Sequence, residues 1–187
     1  MENQKFLAER AAKMRCLLVK ALHKAGSGHP GGSLSCADIV TYLYFNKMNV
    51  SPETAKSPDR DRFVMSKGHA CPALYAALAM RGFFNEEELW HLRTNGGLLQ
   101  GHPDMKGIPG VDMSSGSLGQ GISAAVGMAI AGKLDEKDFR VYTLLGDGVG
   151  SIAGTVFGIC PNTTYGESVG CVAITRNASV YTILTAA

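Results

Sequence analysis

Val141-Tyr142-Thr143-Leu144-Leu145 is a continuous apolar strand that stops abruptly at Gly146-Asp147-Gly148. A strand without an exposed face belongs in the middle of a parallel sheet, covered by helices on both sides. Gly170 to Thr175 reads as a second such strand, ending at Arg176-Asn177. The remaining segments supply the helices. Leu7, Ala11, Met14, Leu18 and Leu22 fall at helical spacing, so the chain opens on an amphipathic helix. Ser35 reads as the N-cap of a helix carrying Ile39, Val40, Leu43 and Tyr44. A third helix runs from about Pro72 to Gly82, and Asn85 with Glu88 resembles a capping box for the next. A helix of small residues follows Gly121, through Ala125, Met128 and Ala129, to about Lys133, and is expected to be buried. Helices alternating with buried strands predict an α/β fold.

Between these elements lie loops that composition makes conspicuous. Glycine accounts for 23 of the 187 residues, without a repeating period. Gly26-Ser27-Gly28-His29-Pro30-Gly31-Gly32 is expected to be a loop, and so are Ser66-Lys67-Gly68-His69-Ala70 and the region from 94 to 117. A loop as long as the last is more often functional than idle. The net charge of +2 lacks the basic stripe that a nucleic-acid surface needs. No apolar run approaches a membrane span, and Met1-Glu2-Asn3-Gln4-Lys5 carries no signal core, so no membrane association is expected. Five cysteines, with no Cys-x-x-Cys pair, fit free thiols in a reduced cytoplasmic protein.

Two features carry chemistry. A strand ending in Gly-Asp-Gly puts a carboxylate at the carboxyl edge of the sheet, where α/β proteins bind ligands. With Asn177 after the second strand, Asp147 suits a hard cation such as magnesium bridging to phosphate. An ordinary turn capped by Asp is the alternative. The second feature is a set of three loop histidines, each preceded by glycine: His29, His69 and His102. Such residues serve as acids, bases or donors to an oxyanion. A zinc site is the rival reading, but no short His-x-His or His-x3-His spacing supports it.

Taken in order, Lys24 to Gly32, Asp61 to Ala70, Gly101-His102-Pro103, Ser114 to Gly121 and Gly146-Asp147-Gly148 resemble the N-terminal, diphosphate-binding half of transketolase. The likeness is greater still to the small subunit of the split bacterial form. The resemblance implies a thiamine-diphosphate-binding α/β fold, mostly parallel, as a single incomplete diphosphate domain over residues 1–187. It implies transfer of a two-carbon ketol unit between sugar phosphates, with a pyrimidine-domain partner subunit in a homo- or hetero-oligomer. By position, Asp147, Asn177 and the carbonyl of Ser179 would ligate magnesium. Gly146 and Gly148 would lie beside the diphosphate with Asn177. Gly116, Ser117 and Leu118 would line the pocket of the cofactor's rings. His69 would touch cofactor and substrate, and His29 and His102 would face the substrate.

Two departures qualify this. Residues 149–170 diverge from the family: Ile152 stands where a Glu is usual, and Gly150, Gly154 and Gly158 each weaken a helix by about 1 kcal/mol relative to Ala. The chain also stops at Ala187, short of the family's further elements and of the pyrimidine domain. A transketolase part completed by a partner is therefore the leading expectation. The related deoxyxylulose-phosphate synthase and a degenerate, non-catalytic fragment that only associates with partners are the alternatives.

Overall fold

The computed structural model describes residues 2–146 and the backbone of 169–174 and 180–185. Helix α1 (Glu2–Ala25) buries Ala11, Met14, Leu17, Leu18, Ala21 and Leu22 along one stripe, as the periodicity predicts. Gly26, at φ +62°, ends it in the left-handed conformation, with its N–H on the carbonyl of His23.

The glycine-rich stretch that follows is only partly a loop. Helix α2 (Pro30–Leu34) starts inside it, because proline at the first helical turn needs no N–H partner and already has helical φ. Helix α3 (Ala37–Tyr42) has Cys36 rather than Ser35 at its N-cap position, with no side-chain cap hydrogen bond, and continues into a π turn over Leu43–Lys47. The Ser35 hydroxyl is engaged elsewhere: it donates to the Gly32 carbonyl at 3.1 Å and accepts from Lys67 Nζ at 3.0 Å.

Strand β1 (Arg62–Met65) pairs in parallel with β2 (Val141–Leu145), Arg62 opposite Val141. The parallel pairing expected of β2 is met here. Beyond it, β3 (Val169–Ile174) and β4 (Val180–Thr185) extend the sheet antiparallel, in the order β1-β2-β3-β4. The strand expected at 170–175 exists, but runs opposite to β2. For β3 and β4 the short connection allows only the antiparallel sense, since a parallel return needs a crossover of a dozen or more residues.

Helix α4 (Cys71–Met80) is buried from Cys71 to Ala79 and packs against α1 and α3. Leu18, Leu74, Leu78, Phe63, Met65 and Leu144 meet in one core. Each large apolar side chain there contributes about 1.5–3 kcal/mol by leaving water. Asn85 caps a 3₁₀ turn (Glu86–His91), its side chain accepting from the N–H of Glu87 rather than pairing with Glu88. Helix α5 (Gly121–Leu134) lies on β1 and β2, yet only Gly121, Ala125 and Gly132 are buried. Val126, Ile130 and Leu134 are 38%, 54% and 78% exposed, so the expectation of a buried helix fails for the side facing away from the sheet.

Candidate functional site

The site is assembled at the carboxyl ends of β1 and β2. From β1 the chain runs through Ser66 and Lys67 into a 3₁₀ turn, Gly68–Ala70, that presents His69. A Cβ on Gly68 would lie 2.8 Å from the carbonyl oxygen of Ser115, so only glycine lets this turn pass the Ser115-Gly116 backbone. The Ser115 hydroxyl donates to the Met65 carbonyl at 2.6 Å and fixes that backbone to the end of β1.

His29, just ahead of α2, meets His69 edge to face, with ring centroids 5.0 Å apart. Gly32, one turn further along, leaves room for the His69 ring: a Cβ there would lie 2.9 Å from Nε2. His102 is brought in by its backbone. The Tyr75 hydroxyl bridges the carbonyls of Gln100 and His102 at 3.0 and 2.8 Å, and the Cys71 thiol donates to Gly101 at 3.1 Å. Gly116 is next to the His102 ring, its Cβ position 4.0 Å from Cδ2. The three glycine-flanked histidines therefore converge, whereas His23 lies on α1 and His91 ends the 3₁₀ turn.

A cleft lined by Ser115, Gly116, Ser117, Gln120 and Gly121 opens beside them. Two of the residues expected around the cofactor's rings, Gly116 and Ser117, form its wall; the third, Leu118, is 48% exposed and is not part of it. Gly121 closes against β1: a Cβ there would meet the Ser66 Cα at 2.8 Å. Gly146, at the end of β2, is buried against the stem of Lys67. Asp147, Gly148, Asn177 and Ser179 lie outside the described residues. Among the described residues, no cluster of three His, Cys, Asp or Glu is arranged to hold a metal.

Burial dominates the electrostatics. It pushes the Cys36 thiol up to about 11, against the opposing pull of the Lys67 ammonium. The Cys71 thiol is pushed up to about 12 for the same reason. Both are held as neutral thiols, unsuited to nucleophilic work at neutral pH. Sequence reasoning missed two polar residues here. Lys67 is only 3% exposed, and Ser66 is fully buried, its hydroxyl without a hydrogen-bond partner among the described residues. Their position directly after a buried strand is the one signal that could have marked them.

The fold and site thus define an α/β protein with a cleft walled by serine and glycine at the carboxyl edge of its sheet and histidines beside it. The chain belongs to the transketolase family: the model of the transketolase thiamine diphosphate binding domain matches residues 7–150. It is 48% identical over 147 residues to a 6-deoxy-6-sulfo-D-fructose transketolase subunit of a Clostridium species, covering 79% of this chain and 54% of that one. It is 46% identical over 139 residues to an apulose-4-phosphate transketolase subunit of Phocaeicola vulgatus, covering 74% and 49%. The chain thus spans about half the length of these relatives. Among solved structures, transketolase from Campylobacter jejuni superposes with a TM-score of 0.69 at 34% identity, over 74% of this chain and 23% of that one.

A second family model, of a permease family, matches residues 121–187. The two matches overlap from 121 to 150, and Asn177 and Ser179 fall only within the second. Among the described residues no helix is long and apolar enough to cross a membrane.

Proposed function

We propose that this chain is the cofactor-binding part of a transketolase, working with a pyrimidine-domain partner subunit in the cytoplasm. The observation that carries the reading is the contact of His29 with His69 and the placement of His102 beside Gly116, a wall of the cleft. The cleft fits thiamine diphosphate in two respects. Two glycines, Gly116 and Gly121, put backbone without side chains along its wall, and a buried cation, Lys67, leads into the turn that carries His69. Thiamine diphosphate supplies the carbanion chemistry that makes and breaks bonds at a ketose carbonyl. The chain's own residues place and protonate. Gly146 and Gly148 line the diphosphate, with Asp147 as a magnesium ligand. His69 orients cofactor and substrate, and His29 and His102 hydrogen-bond the substrate oxygen that gains or loses a proton. The relatives are named for a sulfo-ketose and for a ketose phosphate, so an anionic ketose is the proposed substrate class.

Calorimetry of the full chain tests the cofactor reading. Thiamine diphosphate should bind with an affinity that depends on magnesium and is lost in Asp147→Asn. Equal binding with and without the metal would remove magnesium from the proposal. A specific observation favours a second reading, the non-catalytic fragment: the permease match covers the stretch where resemblance puts Asn177 and Ser179. Failure of every pyrimidine-domain subunit to restore ketol transfer, although the cofactor binds, would select it.

A further inference from the structure

We propose that Lys67 is a binding residue for the cofactor's diphosphate, an inference that rests on the thiamine diphosphate reading above. Lys67 is 3% exposed, and its Nζ donates to the Ser35 hydroxyl at 3.0 Å. Among the described residues no carboxylate forms an ion pair with it. A buried ammonium with one neutral partner is costly, and a fold retains such a group where an anion completes it.

Two neighbours say which anion. The stem of Lys67 lies against Gly146, where a Cβ would be 3.0 Å from Lys67 Cβ and 3.1 Å from Cδ. Gly146 is the last described residue of the Gly-Asp-Gly turn, so the cation sits beside the segment expected to touch phosphate. His69, two residues on, is one of the converging histidines. A diphosphate, a compact anion with several oxygens, can accept N–H groups of the ammonium that Ser35 leaves over.

The test uses the full chain, with thiamine diphosphate and inorganic pyrophosphate titrated separately into wild type and Lys67→Met in the presence of magnesium. Methionine keeps the length and apolar stem and removes the charge. Lys67→Met should weaken both ligands by about 10- to 100-fold, the loss expected for a charged hydrogen bond. Without ligand, its melting temperature should be unchanged or raised by up to about 10 °C, because an incompletely paired buried charge has been removed. Wild-type and variant chains that bind equally well would overturn the role of Lys67 while leaving the cofactor reading intact. A wild type that binds neither ligand would overturn both. A variant that melts lower without ligand, or does not fold, would show that the ammonium is already paired within the protein, and would also overturn the proposal.

Discussion

The imidazole rings of His29 and His69 meet edge to face with their centroids 5.0 Å apart, and Gly32 is the residue that makes the contact possible. A methyl group on Gly32 would lie 2.9 Å from His69 Nε2, closer than real contacts allow, and a tight 3.1 Å from Cδ2. The ring must therefore turn or retreat in Gly32→Ala. In an enzyme reconstituted with a pyrimidine-domain subunit, this variant should lose turnover without losing its fold, measured by ketol transfer beside circular dichroism. Unchanged turnover would mean that the position of the His69 ring does not matter.

Direct removal of the histidines should separate the site from the rest. His29→Ala and His102→Ala should each lower turnover of the reconstituted enzyme by about 10²- to 10⁴-fold, the usual size of lost acid–base help. His23→Ala and His91→Ala, on α1 and the 3₁₀ turn, should leave it within a factor of a few. Similar losses in all four would defeat the assignment.

Two glycines of α5 should respond in opposite directions to the same change. A Cβ on Gly121 would meet the Ser66 Cα at 2.8 Å, and backbone cannot swing aside as a side-chain tip can. Gly121→Ala should cost about 1–3 kcal/mol, the range for overpacking. Among the described residues nothing lies within 4 Å of the Gly127 Cβ position, so alanine there gains only helix propensity, about 1 kcal/mol. Urea melts of the two variants should move to either side of the wild type. A Gly127→Ala midpoint below the wild type would place an unseen neighbour against that face.

These contrasts show where the sequence was legible and where it was not. The stripe on α1 and the all-apolar strand β2 declared themselves, because burial imposes their period. The convergence of His29, His69 and His102 was suggested by their shared glycine context. What brings them together, Tyr75 bridging two carbonyls and Ser115 bonded to Met65, has no sequence period at all. Ser35 looked like a cap because its type and spacing fit, but Gly32 and Lys67 compete for its hydroxyl. The small residues of α5 announced a helix able to pack closely without saying which face would find a neighbour. The sense of β3 depends on how the chain returns to the sheet, not on the composition of the strand.

One ion pair anchors the approach to the site. The Asp112 carboxylate pairs with Arg60 and accepts the N–H of Phe63 in β1 at 2.7 Å, with side chains 4% and 14% exposed for Asp112 and Arg60. Asp112→Ala strands a largely buried guanidinium and should cost about 3–5 kcal/mol in a denaturant titration. The double variant Asp112→Ala, Arg60→Met removes the stranded charge and should lose less than the single one. A double variant that loses the sum of the two single effects would show that the pair is not coupled.

The buried thiols predict a loss of stability in alkali. Folding raises the Cys36 thiol from its ordinary 9.0 to about 11, mainly by burial, so the native state holds its proton where the unfolded chain has released it. The stabilisation is fully present below pH 9 and is lost as pH climbs from there through 11. Within that window the unfolding free energy should fall by about 1.4 kcal/mol per pH unit for each such thiol. Cys71, raised to about 12, adds to the same slope and carries it further. Denaturant titrations at several pH values from about 8 to 10.5 should therefore show a progressive fall in the wild type. In Cys36→Ala the slope between about pH 9.5 and 10.5 should be shallower by about one proton, whatever the variant's stability near pH 8. Parallel slopes for the two proteins would mean that the Cys36 proton leaves at the same pH in the folded and unfolded chain. The burial described around the α2–α3 junction would then be wrong.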